Sequence, residues 1–241
     1  MDVSRKLPAG CHETTPVFIR EATELASLLR RGEIEKTMAM SEALAQRTKL
    51  LYEKWGSEKA AAVMSYIGDV YKGFYAETLT TDDIMWAQQN LFIMSGLYGV
   101  LRSQDEISPY RLEMKAKLNV GKAKNLYEFW GDKLARLVDS QADGVVVVLS
   151  SDEYARPVTK FSKSRLVTPI FLDNKPNGKL GTVPIYSKMM RGVMARWMID
   201  NRVENPEDLR DFKAQGYAYD VAKSTTDHPA FFREIPRPIE Y

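Results

Sequence analysis

The sequence predicts a single α+β domain in which one mixed β-sheet is flanked by helices. Three observations support this fold class. Apolar residues recur at helical spacing through about residues 14–140. Short runs rich in β-branched residues, typical of strands, follow through about residues 145–235. No repeat, low-complexity linker or clear boundary separates these two halves, so residues 1–241 are assigned to one domain.

Capping patterns and one-sided apolar faces predict the helices. Thr15 followed by Pro16 is typical of a helix start, and Gly32 is typical of a helix end. Thr80 and Asp83 have the spacing of a capping box. The predicted helices cover about residues 15–31, 33–39, 42–55, 57–67, 82–94, 126–140, 188–202 and 206–212.

Apolar runs and turn residues predict the strands. Val145–Ser150 is almost continuously apolar, which is typical of a strand buried on both faces. Leu166–Leu172 and Leu180–Tyr186 flank the turn-forming segment Asn174–Gly178, so we expect a hairpin there. The candidate terminal strands are Tyr217–Asp220 and Phe231–Ile235.

Composition excludes several classes of protein. Cys11 is the single cysteine, so no internal disulfide can form and a reducing compartment is expected. The two histidines, His12 and His228, make a Cys/His zinc site or a Ser-His-Asp triad improbable. The apolar runs are too short to span a membrane, and the polar N-terminus lacks a hydrophobic signal core. We therefore expect a cytoplasmic protein without a metal or cofactor.

Charge is unevenly distributed, although the net charge is only +2. The stretch Arg156–Arg196 contains nine basic residues and one acidic residue, whereas Ala76–Tyr110 contains five acidic residues and one basic residue. A basic face of this kind suits a polyanion such as nucleic acid, or a phosphorylated ligand. An ordinary solvated surface explains the same pattern equally well.

The segment Ser95–Met114 combines glycine and proline with many polar residues, which is typical of a functional loop. If its backbone is extended, Arg111 and Glu113 share one face. They form either a surface ion pair of little energetic value, or an anion clamp in which Glu113 orients Arg111 or acts as a base.

Three further segments contain candidate functional residues. Tyr66–Gly73 is predicted to be a glycine-bounded loop, either structural or close to a ligand. Ser151–Tyr154 follows a predicted strand, where open sheets bind ligands, but it also suits an acidic helix N-terminus. In Tyr186–Arg196, Gly192 within a helix indicates that another group approaches closely. The candidate catalytic residues are Ser95, Tyr98, Arg111, Glu113, Ser151 and Asp152.

Longer motifs follow one another along the chain: YIGDVYKGF with AETLTTDDI, SGLYGVLRSQDEISPYRLEMKAKL, LYEFWGDKL, SSDEYARPV, PIFLDNKPNGK, SKMMRGVMARWMIDNRV and GYAYD. In this order they closely resemble the YaaA peroxide stress family of bacteria. The resemblance extends from Thr14 to Phe232. It implies a mixed α/β fold, a cytoplasmic location, protection against peroxide damage and DNA binding.

The resemblance also implies a helix-hairpin-helix element in the N-terminal half, and Ile34–Tyr52 is the best candidate. Its turn, Ala39-Met40-Ser41, lacks the usual glycine, and a plain αα-hairpin in the core is the alternative. In the family that this sequence resembles, the chain begins with an apolar strand that ends in Ser-Pro-x-Lys. This sequence begins instead with MDVSRK. We therefore expect either an upstream start or a missing edge strand.

Two functions are expected from these features. The first is a DNA-binding protein of the peroxide stress response that limits oxidative damage through sequence-independent phosphate contacts. The second is an enzyme acting on a nucleobase, nucleotide or related phosphorylated small molecule, in a pocket built from residues 95–114 and 150–154. Iron sequestration is disfavoured because no paired Glu-x-x-His pattern is present. The candidate nucleic-acid-binding residues are Met40, Ser41, Arg47, Lys115, Lys117, Lys188, Arg191 and Arg196.

Overall fold

A computed structural model describes residues 1–32, 34–175 and 178–235 of the chain. The predicted helix start at Glu33 and the centre of the predicted turn at residues 176–177 lie outside these residues. The α-helices are α1 (Ile19–Arg31), α2 (Ile34–Met38), α3 (Glu42–Glu53), α4 (Ala62–Ser65), α5 (Asp69–Phe74), α6 (Thr81–Asn90), α7 (Leu126–Trp130), α8 (Lys133–Asp139), α9 (Asp152–Thr159) and α10 (Pro184–Asp200). The β-strands are β1 (Ala60–Ala61), β2 (Ile93–Ser95), β3 (Gly99–Leu101), β4 (Glu106–Ile107), β5 (Val145–Val147), β6 (Arg165–Val167), β7 (Ile170–Asn174), β8 (Leu180–Gly181), β9 (Lys213–Ala214), β10 (Tyr217–Tyr219) and β11 (Ala230–Arg233). Helices together with mixed sheets confirm the α+β fold class.

The chain forms two compact units that are interleaved along the sequence. Unit 1 comprises Met1–Tyr66, Leu79–Ser140 and Asp152–Ser162. Unit 2 comprises Ile67–Thr78, Gln141–Ser151 and Lys163–Tyr241. The assignment of the whole chain to one domain stays a prediction, and the boundaries of the units do not follow the helical and strand-rich halves of the sequence.

Unit 1 builds its core from helices and short antiparallel strand pairs. The four residues of α1 predicted to face the core are buried, and α1 packs against α3. Strand β1 pairs with β4, and β2 pairs with β3. The Asp83 N–H donates to the Thr80 hydroxyl, and the Thr80 N–H donates to the Asp83 carboxylate at 2.9 Å. This exchange confirms the predicted capping box at the start of α6.

The first helix begins later than predicted. It starts at Ile19 and not at Pro16. The Thr14 N–H donates to the Gln104 carbonyl at 2.9 Å, and the Glu106 N–H donates to the Thr14 carbonyl at 2.8 Å. These bonds pair residue 14 with a segment distant in sequence, so tertiary pairing overrides the local capping signal.

Two other helices of unit 1 also differ from the prediction. The helix expected over residues 57–67 is shortened to α4, because the two residues before it form β1. The N–H groups of Ala62 and Val63 donate to the carbonyls of Asp105 and Ser103 at 2.8 and 3.0 Å. The helix expected over residues 126–140 is divided into α7 and α8 at Gly131, whose φ of 53° is left-handed and ends α7.

The predicted αα-hairpin of unit 1 consists of α2 and α3, joined by residues 39–41. Ala39 has a φ of 49°, a left-handed conformation that favours glycine. The turn therefore has the backbone of a glycine position although the glycine is absent. Its assignment as a DNA-binding helix-hairpin-helix stays a prediction.

Unit 2 is built around a mixed five-stranded sheet of order β8-β7-β11-β10-β9. Strands β7 and β11 are parallel, and the other neighbours are antiparallel. The expectation of a single sheet is wrong, because β5 and β6 form a separate parallel pair. Its strand β5 is only half-buried, not buried on both faces. The predicted strand over residues 180–186 ends at Gly181, because Pro184 begins α10.

Helix α5 lies where a loop was predicted over Tyr66–Gly73. A glycine of this helix allows it to pack closely against α10. A Cβ on Gly192 would lie 1.7 Å from the Val70 carbonyl oxygen, and one on Gly73 would lie 2.6 Å from the Met189 carbonyl oxygen. The predicted close approach at Gly192 is therefore confirmed. The group that approaches is the backbone of a neighbouring helix.

Candidate functional site

Residues 111–120 of unit 1 form an irregular segment with alternating exposure, and it turns at Met114–Lys115, where the Ala116 N–H donates to the Glu113 carbonyl at 3.0 Å. Arg111, Lys115 and Lys117 are exposed and Glu113 is half-buried, whereas the residues between them are buried. Its β pairing among the described residues is one isolated bridge between Val120 and Ala123, yet its exposure alternates every two residues as in a strand. The Arg111 Nη2 lies 3.2 Å from the Glu113 Oε1. The prediction that these two side chains share a face is confirmed.

Hydrogen bonds attach this segment to the α2–α3 hairpin. The Tyr52 hydroxyl of α3 donates to the Arg111 carbonyl at 2.7 Å. The Lys117 N–H donates to the Thr37 carbonyl of α2 at 3.0 Å. A Cβ on Gly96 would lie 2.4 Å from the Leu112 carbonyl oxygen, so the turn after β2 packs directly on the same backbone. Fixed contacts of this kind hold the outward-facing charges in place.

The carboxylate that α9 supplies to this segment comes from Glu153. The Glu153 Oε2 lies 3.7 Å from the Lys115 Nζ, and its Oε1 accepts the Lys115 N–H at 3.3 Å. The Lys115 Nζ also lies 3.5 Å from the Glu113 Oε2. The negative charges of Glu153 and Glu113 raise the pKa of Lys115. Asp152, the predicted candidate, is exposed in the first turn of α9.

A partly buried chain of hydroxyl groups lies beneath the turn after β2. The Tyr110 hydroxyl lies 2.6 Å from the Ser95 Oγ and 2.8 Å from the Tyr66 hydroxyl. The Ser95 Oγ also accepts the Tyr98 N–H at 2.9 Å, and the Tyr98 hydroxyl accepts the Ser108 N–H at 3.0 Å. Ser95 and Tyr98 are 0% and 1% exposed. Both therefore use their polar groups inside the protein.

Burial raises the pKa of Tyr110 to about 12, although its hydrogen bonds to Ser95 and Tyr66 act in the opposite direction. Burial also raises the pKa of Tyr98. Both phenols are protonated at neutral pH. They are suited to hydrogen bonding and not to proton abstraction.

We expect the Tyr110→Phe variant to lose less stability than the wild type at alkaline pH. An unfolded tyrosine loses its proton near pH 10, whereas folded Tyr110 keeps it up to about pH 12. The unfolded state then binds fewer protons, so this contribution is present below about pH 10 and is lost as pH rises. Urea unfolding at about pH 9 and about pH 11 measures the free energy of unfolding. Between these pH values it should decline by about 1 kcal/mol less in the variant than in the wild type. Equal declines would contradict the assignment.

The other predicted residues lie in both units. Met40 is half-buried and Ser41 and Arg47 are exposed, all in the α2–α3 hairpin of unit 1. Unit 2 contains Ser151, Lys188, Arg191 and Arg196.

Arg196 of α10 has structural partners. Its Nη1 donates to the Tyr75 carbonyl at 3.0 Å and to the Thr78 hydroxyl, and its Nε lies 2.7 Å from the Asp200 carboxylate. These bonds join the end of α5 to α10. Lys188, by contrast, is exposed near the start of α10.

Two surface pockets are formed away from the predicted catalytic residues. A groove of about 360 Å³ opens on the α2–α3 hairpin, and its lining residues are Gly32, Ile34, Lys36, Glu42, Ala45, Gln46 and Lys49. A pocket of about 260 Å³ in unit 2 is lined by Pro206, Glu207, Arg210, Tyr219, Val221, Ser224, Thr225, Thr226 and Pro229. In the described part of the chain, no three His, Cys, Asp or Glu side chains are grouped as metal ligands.

Sequence comparison connects this geometry to known proteins. Residues 1–223 match the family model described as "Peroxide stress protein YaaA". The chain belongs to the YaaA peroxide stress protein family. The match begins at residue 1 and so includes the divergent start MDVSRK.

Three curated relatives of this YaaA family member are named as UPF0246 proteins. One from Salinispora tropica is 42% identical over 230 residues, which cover 92% of this chain and 87% of the relative. One from Paracidovorax citrulli is 38% identical over 247 residues, with 97% and 95% coverage. One from Bordetella pertussis is 39% identical over 234 residues, with 92% and 91% coverage.

Within the residues that the structure describes, none of the helices of this YaaA family member has the length and apolar character needed to cross a membrane. A cytoplasmic location stays a prediction. Sequence inspection missed Tyr66, Tyr110 and the lysines that follow Lys117. The run KAKLNVGKAK over residues 115–124, with four lysines and no acidic residue, is the signal that identifies those lysines.

Proposed function

We propose that this YaaA family protein acts in the peroxide stress response by binding DNA phosphates through its basic segment. The basic segment is defined as residues 115–124, with Lys115, Lys117, Lys122 and Lys124. The observation that carries the proposal is the attachment of this segment to the α2–α3 hairpin. The Lys117 N–H is bonded to the Thr37 carbonyl, so the exposed Lys117 lies beside the predicted helix-hairpin-helix.

Charge supports phosphate binding at this segment. All four lysine side chains are exposed, and no acidic residue interrupts their sequence. Each phosphate neutralised on duplex DNA contributes about 0.9 to the slope of log affinity against log salt. Contacts by Lys117, Lys122 and Lys124, which lack the carboxylate partners of Lys115, therefore correspond to a slope of about −2 to −3.

The stretch Arg156–Arg196 is a weaker candidate for phosphate binding than its basic composition suggests. Its residues 156–162 belong to unit 1 and residues 163–196 to unit 2. The Arg165 Nε lies 2.8 Å from the Asp227 carboxylate, and its Nη2 lies 3.3 Å from the Glu207 carboxylate. Arg196 is likewise engaged within unit 2. Internal partners reduce the charge that these arginines can offer to a phosphate.

We expect the wild-type protein to bind duplex DNA without strong sequence preference, with affinity that falls steeply as salt is added. The triple variant K117Q/K122Q/K124Q removes three exposed lysines of the basic segment. It should lower the magnitude of the salt slope by about 2 to 3 and weaken binding at least tenfold at low salt. Fluorescence anisotropy with a labelled duplex at several salt concentrations measures both quantities.

The matched control is K163Q/K179Q/K188Q, which removes the same charge from the basic stretch of unit 2. A slope close to that of the wild type is expected for this control. Equal losses in the two triple variants would contradict a localised site on the basic segment. Absence of salt-dependent binding by the wild type would reject DNA binding itself.

The hydroxyl chain of unit 1 favours a second candidate function, an enzyme acting on a nucleobase, nucleotide or related small molecule. Protonated Tyr110 would act as a hydrogen-bond donor there, with Arg111 as the group that binds an anion and Glu113 orienting it. Thermal denaturation with a set of nucleobases and nucleotides is the test. A rise in melting temperature that Arg111→Gln abolishes would support a ligand site there, and no rise with any compound would count against the enzyme.

A further inference from the structure

Four side chains of unit 1 form a line of alternating charge, Arg111–Glu113–Lys115–Glu153, which we name the charge chain. Its consecutive nitrogen–oxygen distances are 3.2, 3.5 and 3.7 Å. The exposed fractions of the side chains are 45%, 36%, 66% and 25%. Glu153 is the most buried member, although it lies at the end of the line.

Contacts on both sides hold Glu153 in position. Its Oε1 accepts the Lys115 N–H at 3.3 Å, and its carbonyl accepts the Tyr127 hydroxyl at 3.1 Å. The next residue, Tyr154, is hydrogen-bonded to the backbone of Met114. The start of α9 is therefore tied to the same backbone that carries Glu113 and Lys115. The two carboxylates are fixed by the fold and are not chance neighbours of the lysine.

The charge chain is electrically neutral, although it lies at the beginning of the basic segment. Lys115 is shared between two carboxylates, whereas Lys117, Lys122 and Lys124 form no ion pair within the described part of the chain. A phosphate that approaches Lys115 must compete with both carboxylates. The Nζ atoms of the three following lysines meet no such pair of carboxylates, although Glu128 lies beside Lys124 and accepts its backbone N–H at 2.8 Å.

We propose that Glu113 and Glu153 gate Lys115, so that the basic segment admits a polyanion and discriminates against a single phosphate. This inference rests on the DNA-binding function proposed above. A duplex binds the three open lysines with several phosphates at once, so its binding does not require Lys115 to leave its carboxylates. A free phosphate or mononucleotide lacks that attachment and does not displace two fixed carboxylates. The gate sets both the affinity and the class of anion that binds.

A mutant cycle between Lys115 and the two carboxylates tests the gate. In E113Q/E153Q the glutamine at position 153 still accepts the Lys115 N–H, while both negative charges are removed. We expect this double variant to bind duplex DNA about threefold to tenfold more tightly than the wild type. Its salt slope should steepen by about 0.9 for the contact that Lys115 gains, and by up to about as much again for Arg111, which E113Q also releases. Inorganic phosphate should compete with DNA more effectively for the double variant than for the wild type.

The decisive quantity is the effect of K115Q on the affinity for duplex DNA, measured in the wild type and in E113Q/E153Q. It should be small in the wild type, where Lys115 is neutralised, and about threefold or more in E113Q/E153Q. K117Q is the matched control, because this lysine lies two residues away on the same exposed face and outside the charge chain. Its effect should be equal in both backgrounds. The variant E13Q/E106Q, which removes the same charge elsewhere in unit 1, should tighten binding less than E113Q/E153Q.

The outcomes separate the gate from the proposed function. Salt-dependent DNA binding by the wild type, with equal effects of K115Q in both backgrounds, would overturn the gate and leave DNA binding intact. Binding by E113Q/E153Q but not by the wild type would overturn both, because the gate must admit a duplex to the wild type. Failure of both proteins to bind DNA at low salt would overturn the proposed function and the gate together.

Discussion

Replacing Gly192 with alanine is expected to lower the free energy of unfolding by about 3 kcal/mol. The new Cβ would lie 1.7 Å from the Val70 carbonyl oxygen and 2.8 Å from its carbonyl carbon. Both atoms are backbone, so no side-chain rotation relieves the overlap, and α5 and α10 must separate. Helix propensity alone would favour alanine by about 1 kcal/mol, so the sign of the effect distinguishes packing from propensity.

Urea unfolding followed by circular dichroism measures this loss. Gly73→Ala should be destabilising for the same reason, because its Cβ would lie 2.6 Å from the Met189 carbonyl oxygen of α10. Gly68→Ala is the control, since a Cβ there meets nothing within 4 Å. Its expected loss is about 1 kcal/mol or less, from the poorer N-cap. Equal stability of Gly192→Ala and the wild type would show that the two helices are not in backbone contact.

Replacing Asp173 with alanine is expected to cost about 3–5 kcal/mol of stability. Asp173 is 0% exposed, and the Nε and Nη2 of Arg233 both lie 2.8 Å from its Oδ1. The Tyr217 hydroxyl donates to the other carboxylate oxygen at 2.6 Å. Without this carboxylate, a guanidinium that is 2% exposed stays buried without its counter-ion.

The same unfolding measurement, with a second replacement, identifies the cause of that loss. In D173L/R233M both charges are replaced by apolar side chains, and we expect part of the stability to return because no isolated charge is buried. Lys72→Ala removes an exposed ion pair of α5 in the same unit and should cost less than about 1 kcal/mol. A loss below that value for Asp173→Ala would contradict a structural role for the buried pair.

Local signals predicted much of the fold and part of the site. The capping box of Thr80 and Asp83 and the buried face of α1 were predicted correctly, because both depend on residues within one or two turns of helix. The Arg111–Glu113 pair was predicted for the same reason, since a two-residue spacing places both side chains on one face of an extended chain. The signal in each case is short-range.

Contacts between segments that are distant in sequence could not be predicted. Nothing near Thr15 shows that Thr14 pairs with residues 104–106, and this pairing moves the start of α1. Gly192 indicated a close approach, but the sequence did not identify Val70 as the partner. Asp173 and Arg233 are 60 residues apart, and only the parallel pairing of β7 with β11 makes them neighbours.

By itself, the sequence determined the fold class, the family and the central segment Ser95–Met114, because composition, periodicity and long motifs are properties of the chain alone. The tertiary structure decided which carboxylate meets Lys115: Glu153 reaches the lysine, whereas Asp152 beside it is exposed. It also decided that Ser95 is buried in a hydroxyl chain with Tyr110. The physical reason is that burial and charge pairing depend on distances between atoms, and those distances exist only after separate segments have packed together.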